Sequence, residues 1–206
     1  GGNYNVVVGD EAGTAITTGD NNVAVGYQAG DALTTGGRHT LMGYASGSSL
    51  IDPDRNVAFG YGSLQTDTKG TKSTAVGYSA LNTQNFTSAT DSFNTAVGYT
   101  AGESITTGTA NTLIGSTAGD ALTEGASNAV LGRDALSADT KGSRAVAIGE
   151  AALQAQNFTS ATENYNVAIG YATGANVTTG VQNTLIGGLA GDALTTAVNN
   201  IAIGYK

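Results

Sequence analysis

The sequence contains no cysteine and no tryptophan, and only one proline, one histidine and one methionine among 206 residues. Without cysteine there is neither a disulfide framework nor thiol chemistry. Charged residues make up 12% of the chain, about half of ordinary usage. Acidic residues outnumber basic ones 16 to 8, for a formal net charge of −8. This balance argues against nucleic acid and anionic membranes as partners. No apolar run approaches the ~20 residues that span a bilayer, so no membrane insertion is expected. There is no signal peptide and no initiator methionine, so the chain reads as part of a longer protein. Aromatics are only 6%, too few to fill an ordinary globular centre. What is abundant is glycine, with 31 residues. It does not recur at every third position, which excludes collagen, and the 40% hydrophobic content with little charge argues against disorder.

The glycines belong to a repeat. A tract of the form Asn-x-(small apolar)-(large apolar)-Gly places anchor glycines at 9, 26, 43, 60, 77, 98, 115, 132, 149, 170, 187 and 204. The spacing is 17 residues except for two intervals of 21, at 77–98 and 149–170. A longer period of 72 residues overlies it, since QNFTSAT at 84–90 returns at 156–162 and DTKG at 67–70 returns at 139–142. Residues 1–206 therefore form one repetitive array with no internal domain boundary. The residue before each anchor is large and apolar, and the third residue after it is small. Next comes an exchange. Most repeats carry glycine at the fourth position and an aliphatic residue at the seventh, as in Gly30/Leu33, Gly102/Ile105 and Gly174/Val177. Four carry leucine at the fourth and a polar residue at the seventh: Leu64/Asp67, Leu81/Gln84, Leu136/Asp139 and Leu153/Gln156. One large side chain per repeat, by either route, is what a narrow interior of fixed volume requires.

Apolar tracts of three or four residues bounded by Gly, Asn and Thr-Thr-Gly are strand and turn signals, not helix. The fold class is all-β: a parallel β-solenoid (β-roll) of about twelve 17-residue coils, each with two short strands and two turns. Stacking at ~4.8 Å per coil gives a rod on the order of 50 Å long. The asparagines four positions before the anchor, Asn5, Asn22, Asn56, Asn94, Asn111, Asn128, Asn166, Asn183 and Asn200, have two readings. They form an amide ladder along the rod, or they tolerate a left-handed turn. In the apolar tract, the residues three and one before the glycine are expected to fill the coil. The residue between them, always Ala, Leu or Val and including Leu41, Leu113 and Leu185, is then left outside as an apolar inter-chain stripe. Side-by-side self-association as a cyclic homo-oligomer follows as an expectation.

Catalytic and metal-binding patterns are absent from the sequence. The single histidine, His39, occupies an asparagine-ladder position and has no partner for metal or base chemistry. Gly-Asp pairs at 30–31, 119–120 and 191–192 lack the remainder of a calcium-binding β-roll motif and read as solvated turns. The chain is expected to be no enzyme and to need no cofactor. Two features are candidate receptor or glycan contacts. One is the pair of four-residue insertions with Asn85-Phe86-Thr87 and Asn157-Phe158-Thr159. There the phenylalanines either project or, as packing would have it, fold back over a coil edge. The other is tyrosine after five successive anchors, Tyr27, Tyr44, Tyr61, Tyr78 and Tyr99, read as a sugar-binding stripe or as a structural aromatic ladder. Recurring Thr-Thr pairs raise ice binding as an alternative. Ile51-Asp52, Thr68-Lys69, Asn85-Phe86 and Thr123-Glu124 interrupt the array that a flat ice-matching face needs.

NVAVGYQAGDALTTG (22–36), NTAVGYTAGESITTG (94–108) and NVAIGYATGANVTTG (166–180) resemble the shaft repeats of phage tail fibres and the YadA-like head repeats of trimeric autotransporter adhesins. The resemblance covers essentially the whole chain. It implies a left-handed, trimeric parallel β-roll, extracellular on a virion tail or cell surface, with a structural or host-attachment role. The adhesin coils are shorter than these. Neither a neck, stalk and anchor nor a tail-fibre chaperone domain is seen in this sequence, so capping domains or stacked filament subunits are expected outside it.

Overall fold

An apolar tract of three residues is too short to hold strand geometry alone and does so only against identical tracts on either side. In the computed structural model, which describes residues 2–206, each tract forms one three-residue strand. Twelve of them, from Val6–Val8 and Val23–Val25 to Thr184–Ile186 and Ile201–Ile203, build a single parallel sheet in sequence order. Pairing is in register throughout, so that each strand residue faces its equivalent one coil away, as Val23 faces Thr40 and Val25 faces Met42. Register survives both insertions: Val146, Ala147 and Ile148 pair with Val167, Ala168 and Ile169 across the 21-residue interval. The molecule is a β-solenoid of about twelve coils, and no helix occurs among the described residues.

Parity along the strand decides which side chains fill the coil. The asparagine four positions before the anchor points inward and is fully buried at 22, 56, 94, 111, 128, 166 and 183. Alternation then turns the residue two before the anchor inward and those three and one before it outward. Ala24, Leu41, Ala58, Ala75, Ala96, Leu113, Ala147, Ala168 and Leu185 accordingly have no exposed surface. This reverses the expectation from the apolar pattern alone. Leu41, Leu113 and Leu185 are core residues, and the uncovered face is formed by their neighbours, such as Val57 and Phe59, Ile114, Leu131 and Ile169.

Only one strand per coil is regular, not two. Among the described residues a second pairing exists only at the insertions, where Gly70–Thr71 meets Thr90–Asp91 and Gly142–Ser143 meets Thr162–Glu163. Elsewhere the return path is a series of turns, because left-handed residues interrupt it. In the coil around Gly43, for example, Arg38 (φ 64°) and Ala45 (φ 51°) are both left-handed. Such residues cost on the order of 1 kcal/mol each. Their N–H groups bond the preceding coil, from Arg38 to the Asp20 carbonyl at 3.0 Å and from Ala45 to the Tyr27 carbonyl at 2.8 Å. The strained path is thus held by its neighbours, which ties the coils into a cooperative stack.

The anchor glycine has two reasons to be glycine. Gly26 adopts φ 128°, and a Cβ there would sit 2.5 Å from the carbonyl oxygen of Gly43 in the next coil. The exchange of large side chains inside the coil is equally tight. Leu33, Ile105 and Val177 occupy the same interior as Leu64, Leu81, Leu136 and Leu153, all fully buried. A Cβ on Gly102 would meet Leu113 Cδ1 at 2.6 Å and Leu81 Cδ2 at 3.1 Å.

Candidate functional site: ladders, insertions and the outer sheet face

The asparagines form a hydrogen-bond ladder, and the left-handed reading does not apply to them: the positive-φ residue is the one before, such as Asn21 or Ala110. Asn111 Nδ2 donates to the Gly125 carbonyl at 2.8 Å, and its Oδ1 accepts the backbone N–H of Asn128 at 3.0 Å. The same pair of bonds recurs along the rod, with Asn22 on Gly36 and the His39 N–H, and Asn183 on Ala197 and the Asn200 N–H. His39 imitates the amide. Its Nε2 lies 2.8 Å from the Pro53 carbonyl, and Nδ1 accepts the Asn56 N–H at 3.2 Å, which assigns the proton to Nε2. Burial lowers its pKa, against the opposing pull of the Pro53 carbonyl and Asp54.

The ladder lacks an amide at Ser73 and Ala145, in the coils that carry the insertions. Gln84 and Gln156 fill the gap from the other side of the interior, each accepting through Oε1 from Asn94 or Asn166 Nδ2 at 2.8 Å. Each glutamine donates in turn to a fully buried aspartate, Gln84 to Asp67 at 2.6 Å and Gln156 to Asp139 at 2.7 Å. The other carboxylate oxygen receives two backbone N–H groups, from Gly70 and Phe86 or from Gly142 and Phe158. Burial raises the Asp139 pKa, countered by the N–H donors of Phe158, Gln156 and Gly142. Sequence reading treated these four polar residues as volume compensation and missed the network. The signal was available: the ladder gap and the 21-residue interval fall in the same coils.

Asp67 and Asp139 also fix how each insertion leaves the rod. Phe86 and Phe158 fold back and are 6% exposed, so they are not projecting contact residues. The tips that do project are small and polar, with Thr87, Ser88 and Ala89 exposed in one insertion and Thr159, Ser160 and Ala161 in the other. Asn85 and Asn157 lie at the base of the insertions, where each Oδ1 accepts from a threonine hydroxyl, Thr68 at 3.0 Å and Thr140 at 3.2 Å. Four coil intervals separate the two tips, about 19 Å along the axis.

The five tyrosines stack as a ladder, with consecutive ring centroids 5.2, 4.8, 5.1 and 5.3 Å apart from Tyr27 to Tyr99. Inner rings have both faces covered by neighbours and present only their edges and hydroxyls. A sugar has no free inner ring face on which to stack. The threonines of the Thr-Thr-Gly turns likewise spend their hydroxyls within the rod: Thr17, Thr106 and Thr123 Oγ1 each bond a carbonyl one coil on. Asp31, Asp120 and Asp192 share one column but sit in the second, seventh and eleventh coils, so no two of them are neighbours.

The remaining feature is the outer sheet face. Every coil contributes a large apolar residue before the anchor, and Phe59, Leu131, Ile114 and Ile169 are 50, 48, 37 and 37% exposed. The second outward position holds Val, Thr, Ala or Ile, with no charge in any of the twelve strands. Among protein-family models, curated proteins and solved structures, none matches this chain.

Proposed function

We propose that this chain is a structural fibre segment that works by spacing and by self-association, as in the shaft or head of a tail fibre or surface adhesin. The observation that carries the reading is the uncharged outer face running through all twelve strands, with a large apolar residue in each. A face roughly 50 Å long and about 10 Å wide is one continuous stripe at the upper end of the contiguous apolar surface usual on a monomer. The occupant that fits it is a second copy of the chain, whose repeat matches coil for coil. A cyclic assembly, with three chains favoured by the likeness of the repeats to tail-fibre shafts and adhesin heads, covers the face without leaving another exposed. The exposed tips at 87–89 and 159–161 then stand on the outside of the assembly, where attachment to a receptor or glycan is open to them.

Sedimentation equilibrium tests the association. The wild-type chain is expected at a multiple of 20.4 kDa at micromolar concentration. The double substitution Ile114→Asp and Ile148→Asp, at outward positions, is expected at the monomer mass with an unchanged far-UV spectrum. A wild-type monomer would overturn the proposal.

A further inference from the structure

Two columns border the outer sheet face, and their chemistry is complementary. Five positions before the anchors stand Arg38, Arg55, Lys72 and Arg144, which are half of the chain's lysines and arginines, and no carboxylate occupies that column. One position after the anchors stand the tyrosine ladder, at 27 to 99, and the charged residues Asp10, Arg133 and Glu150, the last two paired with each other. Strands run across the rod, so the first column lies on the upstream margin of the face and the second on the downstream margin. The hydroxyls of Tyr44, Tyr61 and Tyr78 make no hydrogen bond among the described residues, although the rings are 45 to 49% exposed. Arg55 forms no ion pair among the described residues, whereas Arg38, Lys72 and Arg144 lie beside Asp54, Asp91 and Glu163.

We propose that copies of this chain pack parallel and coil-level, with the upstream cations of one copy on the downstream tyrosines of the next. The inference rests on the side-by-side reading above and adds polarity and register to it. In a cyclic parallel arrangement the downstream margin of one copy meets the upstream margin of its neighbour. Arg38 then stands at Tyr44, Arg55 at Tyr61 and Lys72 at Tyr78, each pair within one coil. An antiparallel arrangement sets the upstream margin against itself and, with all twelve coils overlapped, opposes Arg55 to Arg144. The contact is a guanidinium or ammonium N–H donating to a phenolic oxygen, since the ring faces are taken by stacking. The chain already makes such a contact internally, with Arg144 Nη1 2.7 Å from the Tyr165 hydroxyl. The strand face offers on the order of 500 Å² per copy, and the two bordering columns bring the contact toward the ~800 Å² per partner that a stable interface buries.

The absence of native cysteine makes the test direct. One copy carries Arg55→Cys and a size tag, a second carries Tyr61→Cys, and the mixed, co-refolded assembly is treated with a short bis-maleimide. The 55–61 product is expected, at least tenfold above that of a control mixture of Arg55→Cys with Arg144→Cys chains. All three positions are on the surface, and circular dichroism verifies the fold of each variant. An assembly that forms but yields the 55–144 product, or neither product, overturns the parallel register while leaving side-by-side association standing. Chains that sediment as monomers overturn both.

Discussion

His39 Nδ1 accepts the backbone N–H of Asn56, one coil away, at 3.2 Å, which requires the imidazole to be neutral. Protonation would point a second N–H at that donor, and burial, which disfavours the charged imidazolium, lowers the His39 pKa. In the unfolded chain the imidazole titrates at its usual value near 6.5. Below that value the unfolded state binds more protons than the folded one. Stability is therefore level above about pH 6.5 and declines as the pH falls toward the lowered folded pKa. His39→Asn restores the ladder amide. It is expected to match the wild type within about 1 kcal/mol near neutrality and to lose this component of the acid dependence. Thermal unfolding from pH 7.5 to 5 measures it, as the difference between the two proteins. Parallel curves would contradict the assignment.

Asp139 acts only as an acceptor. Its carboxylate receives Gly142, Phe158 and Gln156. Asp139→Asn sets an amide N–H against the Gln156 Nε2 and is expected to cost about 1–3 kcal/mol. Asp139→Ala strands all three donors and costs more. Denaturant unfolding gives both values, and an unchanged midpoint for either variant would refute the network.

The two insertions differ at one buried contact. In the first, the Ser73 and Ser92 hydroxyls bond each other, and Ser73 also receives Gln84 Nε2 at 2.9 Å. In the second, Ala145 and Asn164 stand at these positions, and Asn164 Nδ2 is buried without a partner. Ala145→Ser supplies an acceptor for that amide. It is expected to stabilise the protein by about 0.5–1.5 kcal/mol, read as a raised unfolding midpoint. A lowered midpoint would show that the hydroxyl has no room or no partner there.

Volume exchange inside the coil predicts coupling. Gly102→Leu alone overpacks against Leu113, Leu81 and Ile105 and is expected to cost about 1–3 kcal/mol. Ile105→Gln alone leaves a cavity and a lone amide. Together they recreate the pairing of Leu81 with Gln84, so the double-mutant cost is expected to fall below the sum of the singles. Additive costs would mean that the two positions do not share one volume.

The repeat made the solenoid and its coil number legible from the sequence, and the asparagine ladder and the tyrosine stack as one of two readings each. These follow from identical residues one coil apart, which is a one-dimensional property. The facing of the strand was not legible, because Leu41 and Ile114 are equally apolar. What turns Leu41 inward is the buried hydrogen-bonding side chain two positions earlier, His39 in its own coil and asparagine in most others, and that is a hydrogen-bond requirement. The Asp139–Gln156 network was hidden for a related reason, since its partners come from two coils and from opposite sides of the interior. The second strand was expected from coil length, yet residues such as Gln28 and Ala45 take left-handed conformations that no composition rule flags.

Solution X-ray scattering tests the central claim, lateral association through the outer face, by measuring length and mass per unit length together. One stacked chain of 20.4 kDa spans roughly 50 Å. Association through the sheet face multiplies the mass per unit length by the number of chains and leaves the length unchanged. A particle about 50 Å long with a multiple of the single-chain mass per length is the predicted result. A single-chain mass per length, at that length or in a longer particle, would contradict the account.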